Sequence, residues 1–213
     1  MMQGIFFDET HNWDDLHLVL SQVKIPPAMP KTTFVDIPGG DGSVDLTEAL
    51  GETRYKTRDA SFVFSVLPTD DFEQKKTELS NLINGRKCKI ILDKDPGYFW
   101  IGRCQVSAYS EAKKIRKITV KATLEPYKYK TKLTTVMMPI STNGVDMELK
   151  NSRKTVVPTI TCAAAATIVF KGNTYKLGAG THKILDLALK EGTNALRLTS
   201  TKAVTFTYQE GDL

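Results

Sequence analysis

The chain has 213 residues, enough for one large domain or two small ones, and its hydrophobic fraction of 41% and charged fraction of 25% are ordinary for a globular protein. No apolar run approaches the roughly 20 residues that a transmembrane helix needs, so no membrane insertion is expected. The first residues also lack the features of a signal peptide, which favours assembly in the cytoplasm.

The net charge of +5 raises the question of nucleic-acid binding. The basic side chains mostly alternate with apolar ones, as in Lys87-Cys88-Lys89-Ile90, which is typical of the solvated face of a sheet. No aromatic stacking residues are interleaved with them, so specific nucleic-acid binding is not expected. The three cysteines, Cys88, Cys104 and Cys162, are scattered and form no C-x-x-C pair, which predicts buried free thiols rather than a disulfide framework or a zinc site.

Alternation of apolar and polar residues predicts a first half made mainly of β-strands. Turn signals rich in glycine and proline separate the strands at 38–42 and 95–97. The predicted strands cover 16–20, 61–66, 89–92 and 115–124.

One segment, 70–84, has apolar residues at helical spacing and predicts a helix packed on the first sheet. The apolar positions are Phe72, Leu79, Leu82 and Ile83. We expect Asp70 to cap the helix, with Glu73 returning the bond, and Gly85 to end it.

A domain boundary is predicted within 126–132, after which short β segments follow one another at the spacing of a β-sandwich. They cover 145–149, 167–170, 175–177, 194–198 and 204–208. Asn143-Gly144 and Gly172-Asn173 predict tight hairpin turns. The fold class is therefore mainly β, with an N-terminal β-rich domain over 1–128 that carries one packed α-helix and a C-terminal β-sandwich over 129–213.

The chain shows little that could carry catalysis. His11 and His17 lie among acidic residues that could bind a divalent cation, but 7–12 is more simply a hairpin turn. The acidic neighbours are Asp8, Glu9, Asp14 and Asp15. The glycine-rich segment 36–42 has neither calcium-loop nor phosphate-loop spacing, and no nucleophile or metalloprotease motif is present. We therefore expect no enzyme, no cofactor and no bound metal.

The first sixty-odd residues resemble the N-terminal domain of siphophage distal tail proteins in both order and spacing. The matching positions are Gly4-Ile5-Phe6-Phe7-Asp8, His11, Asp14-Asp15-Leu16, Ile25-Pro26-Pro27, Pro30-Lys31, Val35-Asp36-Ile37-Pro38-Gly39, Asp41-Gly42, Asp45-Leu46-Thr47-Glu48, Tyr55, Arg58 and Phe62-Val63-Phe64. The C-terminal half resembles the galectin-like sandwich of that family less specifically. Its matching positions are Asn143-Gly144, Pro158-Thr159-Ile160, the 170–175 hairpin, Gly192-Thr193-Asn194 and 208–211.

The resemblance implies a structural protein that forms a hexameric ring at the tip of a phage tail. The ring of N-terminal domains would join the tail tube protein to the hub, or baseplate, while the C-terminal domains project outward and sometimes dock receptor-binding proteins. It also implies a place in the virion tail, assembled in the bacterial cytoplasm, and applies equally to an intact siphovirus, a prophage remnant or a tailocin. At 213 residues the chain has no room for the carbohydrate-binding insertions of some relatives.

The candidate subunit interface comprises two turns with little apolar cover of their own and the residues beside them. These residues are Tyr98, Phe99, Trp100, Gly39 and Asp41. Alternation equally allows Phe99 or Trp100 to fill the core of its own domain. The competing function is a carbohydrate-binding module, in which Tyr175 and Tyr208 would stack on a sugar, although alternation places both in the core as readily.

Overall fold

The computed structural model describes residues 4–49, 51–112, 115–138 and 140–213. They form two compact units, the first reaching Lys128 and including Leu213, the second covering Tyr129–Asp212. Both are built mainly from β-strands, which confirms the predicted fold class. Within the described ranges there is one α-helix, and no helix is long and apolar enough to cross a bilayer.

Unit 1 is organised around one long antiparallel sheet. Its elements are β1 (Ile5–Phe7), β2 (Thr10–His11), β3 (Leu18–Lys24), β4 (Phe34–Asp36), β5 (Ser43–Asp45), β6 (Arg58–Val66), α1 (Phe72–Ile83), β7 (Lys87–Leu92), β8 (Tyr98–Ala112) and β9 (Ile115–Leu124). Seven strands lie side by side in the order β2-β1-β7-β8-β9-β6-β3. β4 and β5 pair only with each other, in a separate two-stranded hairpin.

The core of unit 1 lies between the sheet and α1. Strand β6 shows the period-two pattern, since Phe62 and Phe64 are fully buried and Val63 between them is partly exposed. Helix α1 buries Phe72, Leu79 and Ile83 against the same core, as their spacing predicts.

The predicted helix cap is wrong by one residue. Asp71, not Asp70, is the N-cap, because its extended backbone lets Oδ1 accept hydrogen bonds from the N–H groups of Glu73 at 2.9 Å and Gln74 at 3.1 Å. The carboxylate of Glu73 contacts Lys76 instead of returning a bond to the cap. Gly85 follows the helix with a positive φ of 76°, as expected of the residue that ends it.

Unit 2 is a sandwich of two antiparallel four-stranded sheets. Its elements are β10 (Lys128–Lys130), which begins at the boundary, β11 (Thr134–Met138), β12 (Ser141–Asn151), β13 (Thr159–Cys162), β14 (Ala166–Phe170), β15 (Asn173–Leu177), β16 (Gly180–Lys183), β17 (Gly192–Ser200), β18 (Val204–Tyr208) and β19 (Gly211–Asp212). One sheet has the order β11-β18-β13-β16 and the other β12-β17-β14-β15. Their inner faces share one core that includes Phe170, Leu198 and Phe206.

Two turns predicted in unit 2 differ from the structure: one is a bulge within a strand, and the other is shifted by one residue. Asn143-Gly144 does not end a strand but lies inside β12, where the register with β17 shifts and Gly144 takes a φ of 81°. It therefore forms a bulge, because bulges and hairpin turns share the need for a positive φ. The β14–β15 hairpin turns at Lys171 and Gly172, one residue earlier than predicted, with φ values of 50° and 80°.

Candidate assembly interface

The structure separates the two histidines that the sequence placed among acidic residues. His11 is buried, with Nδ1 2.7 Å from Asp14 Oδ2 and Nε2 3.3 Å from Asp93 Oδ2. His17 is exposed, and its ring contacts Trp13. The described part of the chain holds no group of three or more metal-ligating side chains placed to bind an ion. The hairpin interpretation of 7–12 is confirmed by the pairing of β1 with β2.

The cysteines are buried and free, as predicted. Burial raises the pKa of the Cys88 thiol, and it raises that of Cys104 still further. A buried thiol with a raised pKa carries little thiolate at neutral pH, which is the reactive form. The environment of Cys88 and Cys104 therefore suits a packed core residue better than a nucleophile.

Three of the predicted interface residues begin β8, directly after the turn that follows β7. Trp100 is 8% exposed and belongs to the core of unit 1, where the guanidinium of Arg58 lies 4.8 Å from its ring centre. Tyr98 and Phe99 are half-buried, and each ring carries a lysine ammonium, from Lys128 at 4.2 Å and Lys89 at 4.6 Å. This turn therefore leaves little apolar surface uncovered.

The other two predicted residues, Gly39 and Asp41, lie at the tip of an arm formed by the described residues of the segment 29–49 and 51–55. A bridge between Pro30 and Tyr55 closes its base, and β4 and β5 form its shaft. At the tip Gly39 and Gly42 take positive φ values of 80° and 74°, which the chain reversal requires. Every residue of β4 and β5 is exposed, so the arm projects from the packed core of unit 1.

The two faces of the arm differ in chemistry. Val35 pairs directly with Val44, so these two side chains lie on one face. Ile37 and Leu46 lie just beyond the strand ends, and Leu46 N–H still donates to the Thr33 carbonyl, so we infer from the alternation that both continue the same face. Their exposures of 42–55% are high for such residues. The other face carries Phe34 and Asp36 from β4 and Asp45 from β5. We call the four-residue side the aliphatic face of the arm.

Charge also distinguishes the arm from the rest of unit 1. Residues 29–55 contain two basic residues (Lys or Arg) and five acidic residues (Asp or Glu). The remainder of 1–128 contains sixteen basic and thirteen acidic residues. The arm therefore has a net charge of −3 and the body of unit 1 one of +3.

The aromatic residues considered for sugar binding do not form an exposed platform. Tyr208 is buried, and its hydroxyl donates a hydrogen bond of 2.5 Å to the carbonyl of Lys150. Tyr175 is half-buried and packs against the core of unit 2. Exposed, flat aromatic faces are what a carbohydrate module of this type needs, so the placement of Tyr208 contradicts that part of the alternative.

The fold described above, a helix-bearing β-sheet unit followed by a β-sandwich, is shared with a phage protein of known structure. The SPP1 Dit protein, described as a paradigm of the hub adsorption apparatus of phages that infect Gram-positive bacteria, superposes with a TM-score of 0.72 over 100% of both chains, at 15% sequence identity. No protein-family model matches the chain, and no curated protein matches its sequence. At this level of identity the similarity establishes the fold.

The sequence indicated the tip of the arm but missed its aliphatic face. The signal was present, since Val35, Ile37, Val44 and Leu46 alternate with polar residues on both sides of a turn. Alternation predicts that such a face is covered, but it does not say by which chain.

Proposed function

We propose that the chain is a structural, non-enzymatic distal tail protein that forms a hexameric ring at the tip of a phage tail or a tail-like particle. The aliphatic face of the arm is the observation that carries the self-association part of this proposal. The ring adapts the tail tube protein to the hub and can also carry receptor-binding proteins. It is part of the virion tail and assembles in the bacterial cytoplasm.

The arm needs a partner for a physical reason. A two-stranded hairpin alone is marginally stable in water, and an exposed aliphatic face adds an unfavourable hydration cost. Covering Val35, Ile37, Val44 and Leu46 on another surface would bury apolar area from both partners. The arm is therefore better suited to an assembled state than to an isolated chain.

A second copy of the same chain is the partner that the charges favour. The arm, at −3, would lie on the body of unit 1 of its neighbour, at +3. Arm and body are different surfaces, so the contact is heterologous and repeats from copy to copy until it closes. The number six, and the tube and hub as partners, come from the sequence resemblance, and the shared fold with SPP1 Dit supports them.

The test places the same charge on opposite faces of the arm. Val44→Lys puts an ammonium in the aliphatic face, while Ser43→Lys puts one on the adjacent, opposite-facing position. We expect the unmodified chain and Ser43→Lys to show a mass near six times 23.7 kDa by light scattering at high concentration. Val44→Lys should remain monomeric, because each junction of the ring would contain a buried unpaired charge.

Circular dichroism of all three proteins checks that the fold is retained. Electron microscopy then shows whether the large species is a closed six-fold ring. Equal assembly of Val44→Lys and Ser43→Lys would exclude the aliphatic face as the junction. An unmodified chain that stays monomeric at high concentration, and that forms no six-fold ring in assembled particles, would end the proposal.

A further inference from the structure

The four edge strands of the unit 2 sandwich are not protected in the same way. Natural proteins commonly place charged side chains on exposed edges to prevent pairing with other chains. β12 carries Asp146, Glu148 and Lys150 facing solvent, β15 carries Lys176 and β16 carries Lys183. β11 carries no charged residue, and the sequence has none from 133 to 145.

Strand β11 is open to solvent along that uncharged edge. It pairs with β18 on one side, and the described residues place no strand on its other side. Alternate residues of an edge strand direct their N–H and C=O groups away from the sheet. Met137 is 72% exposed, and Leu133, which precedes the strand, is also exposed. The edge thus offers unpaired backbone groups together with apolar contact surface.

The outer face of the same sheet is almost entirely uncharged. The strand register arranges its side chains in two rows, each crossing four strands. The rows are Thr135-Thr207-Thr159-Lys183 and Met137-Thr205-Thr161-Thr181. This face therefore consists of six threonines, one methionine and one lysine. Its β-branched side chains suit an extended neighbouring strand.

We propose that β11 is a docking edge for an extended strand of a different protein, which adds to the sheet as a fifth strand. Main-chain hydrogen bonds to β11 would supply affinity, and contacts of alternate side chains with Met137 and Thr135 would supply selectivity. This role belongs to unit 2 and goes beyond the ring proposed for unit 1.

The charges favour an acidic partner strand over a second copy of this chain. Residues 129–212 contain eleven Lys and Arg against six Asp and Glu, a net charge of +5. Lys132 lies two residues before β11, and Lys183, on β16 at the far edge of the sheet, is the one charged side chain in the two rows of the threonine-rich face. Two copies would bring like charges together, whereas a strand with acidic flanks would be attracted.

The probe for this edge is a short peptide of alternating valine and threonine with a glutamate at each end, added to the full chain. We expect binding in a fluorescence titration with a dye-labelled form of the peptide, and slower hydrogen exchange at residues 134–138. Met137→Lys should weaken binding by at least about tenfold, since an edge lysine opposes strand addition. Thr174→Lys, which adds the same charge to the already protected β15, is the matched control and should bind as the unmodified chain does.

Two further peptides define the chemistry of the partner. A version with a central proline cannot complete the hydrogen-bond ladder and should not bind. A version with lysine ends should bind more weakly than the glutamate version, and equal binding would overturn the acidic preference. No binding, protection outside β11, or equal affinity for Met137→Lys would overturn the docking edge.

Self-association through β11 is the remaining outcome. It would appear as a concentration-dependent increase in mass that Met137→Lys abolishes and Val44→Lys does not. In that case the occupant of the β11 edge would be a second copy of this chain and not a different protein. Because the ring is tested by Val44→Lys in unit 1, failure of one proposal leaves the other measurable.

Discussion

Units 1 and 2 expose strands in different ways. Unit 1 extends β4 and β5 as an arm whose exposed aliphatic side chains lie on one face. Unit 2 keeps β11 within its sandwich and exposes a strand edge, where backbone groups accompany the apolar side chains. A face of side chains can be covered by any apolar surface of suitable shape, whereas an edge is completed only by another strand.

The two units also differ in charge. Residues 1–128 carry eighteen Lys and Arg against eighteen Asp and Glu, while 129–212 have a net charge of +5. A neutral unit with separated acidic and basic regions favours contact between copies. A unit with a net positive charge favours a different, acidic partner. We therefore expect self-association through unit 1 and partner binding through unit 2.

The strongest test of the division into units 1 and 2 is whether their two hydrophobic cores unfold separately. Phe62 in unit 1 and Phe206 in unit 2 are both fully buried, and each belongs to a different core cluster. Phe206→Ala should lower the free energy of unfolding of unit 2 by about 3–5 kcal/mol and leave unit 1 unchanged, and Phe62→Ala should do the reverse.

The chain provides its own probe for this experiment. Both tryptophans, Trp13 and Trp100, lie in unit 1, so their fluorescence reports that unit, while circular dichroism reports both. Under denaturant, Phe206→Ala should shift the dichroism transition and not the fluorescence transition. Equal shifts of both signals in both variants would show one cooperative unit and contradict the division.

A smaller effect is expected within the sheet of unit 1, where β8 and β9 pair closely. A Cβ added at Gly102 would lie 2.6 Å from Leu124 Cδ2 and 2.8 Å from the carbonyl oxygen of Thr123. The backbone oxygen cannot move freely, so Gly102→Ala should destabilise unit 1 by about 1–3 kcal/mol.

Gly97→Ala is the matched control, because nothing lies within 4 Å of its added Cβ. It should change the fluorescence midpoint little. If Gly97→Ala were as damaging as Gly102→Ala, crowding between β8 and β9 would not be the cause. A shift of the unit 2 transition with Gly102→Ala would again contradict separate unfolding.

Much of the fold could be predicted because burial imposes a period on the sequence. β6 and β7 alternate strictly, β9 alternates from Ile118 onward, and α1 has its apolar residues at helical spacing, so their type follows from side-chain direction alone. The first and last residues of an element were harder to predict where two adjacent residues have the same chemistry. Asp70 and Asp71 both suit a cap, and only the backbone conformation of Asp71 selects it.

The candidate interface was harder to predict than the fold. Asn143-Gly144 in unit 2 shows why a local sequence signal is insufficient. The pair indicates a backbone with a positive φ, but it does not indicate whether the strand ends there. Trp100 and Val35 show the same limit for burial. Both have the pattern of covered residues, but Trp100 is covered by its own unit and Val35 is exposed in the single chain.

The smallest expected effect concerns a buried carboxylate that holds unit 2 together near its end. Glu210 accepts hydrogen bonds from the hydroxyls of Thr134 at 2.5 Å and Ser152 at 2.6 Å, and Lys130 Nζ lies 2.9 Å from it. Burial alone would raise the pKa of Glu210, but the bonds from Ser152, Thr134 and Lys130 outweigh it and lower the pKa. Glu210→Gln should reduce the stability of unit 2 by about 1 kcal/mol at neutral pH.

The lowered pKa of Glu210 fixes the sign of the pH dependence. The unfolded chain binds the proton more readily, so the stabilisation is fully present above the ordinary glutamate pKa of about 4.3 and is lost as pH falls through the lower pKa of the folded state. Unfolding in urea, followed by circular dichroism at a series of pH values, should show the difference between the unmodified chain and Glu210→Gln shrinking over that range. Glu191→Gln removes an exposed carboxylate paired with Arg153 and should have little effect at any pH. A difference for Glu210→Gln that stays constant throughout acidification would mean that its charge contributes nothing and that the loss comes from packing alone.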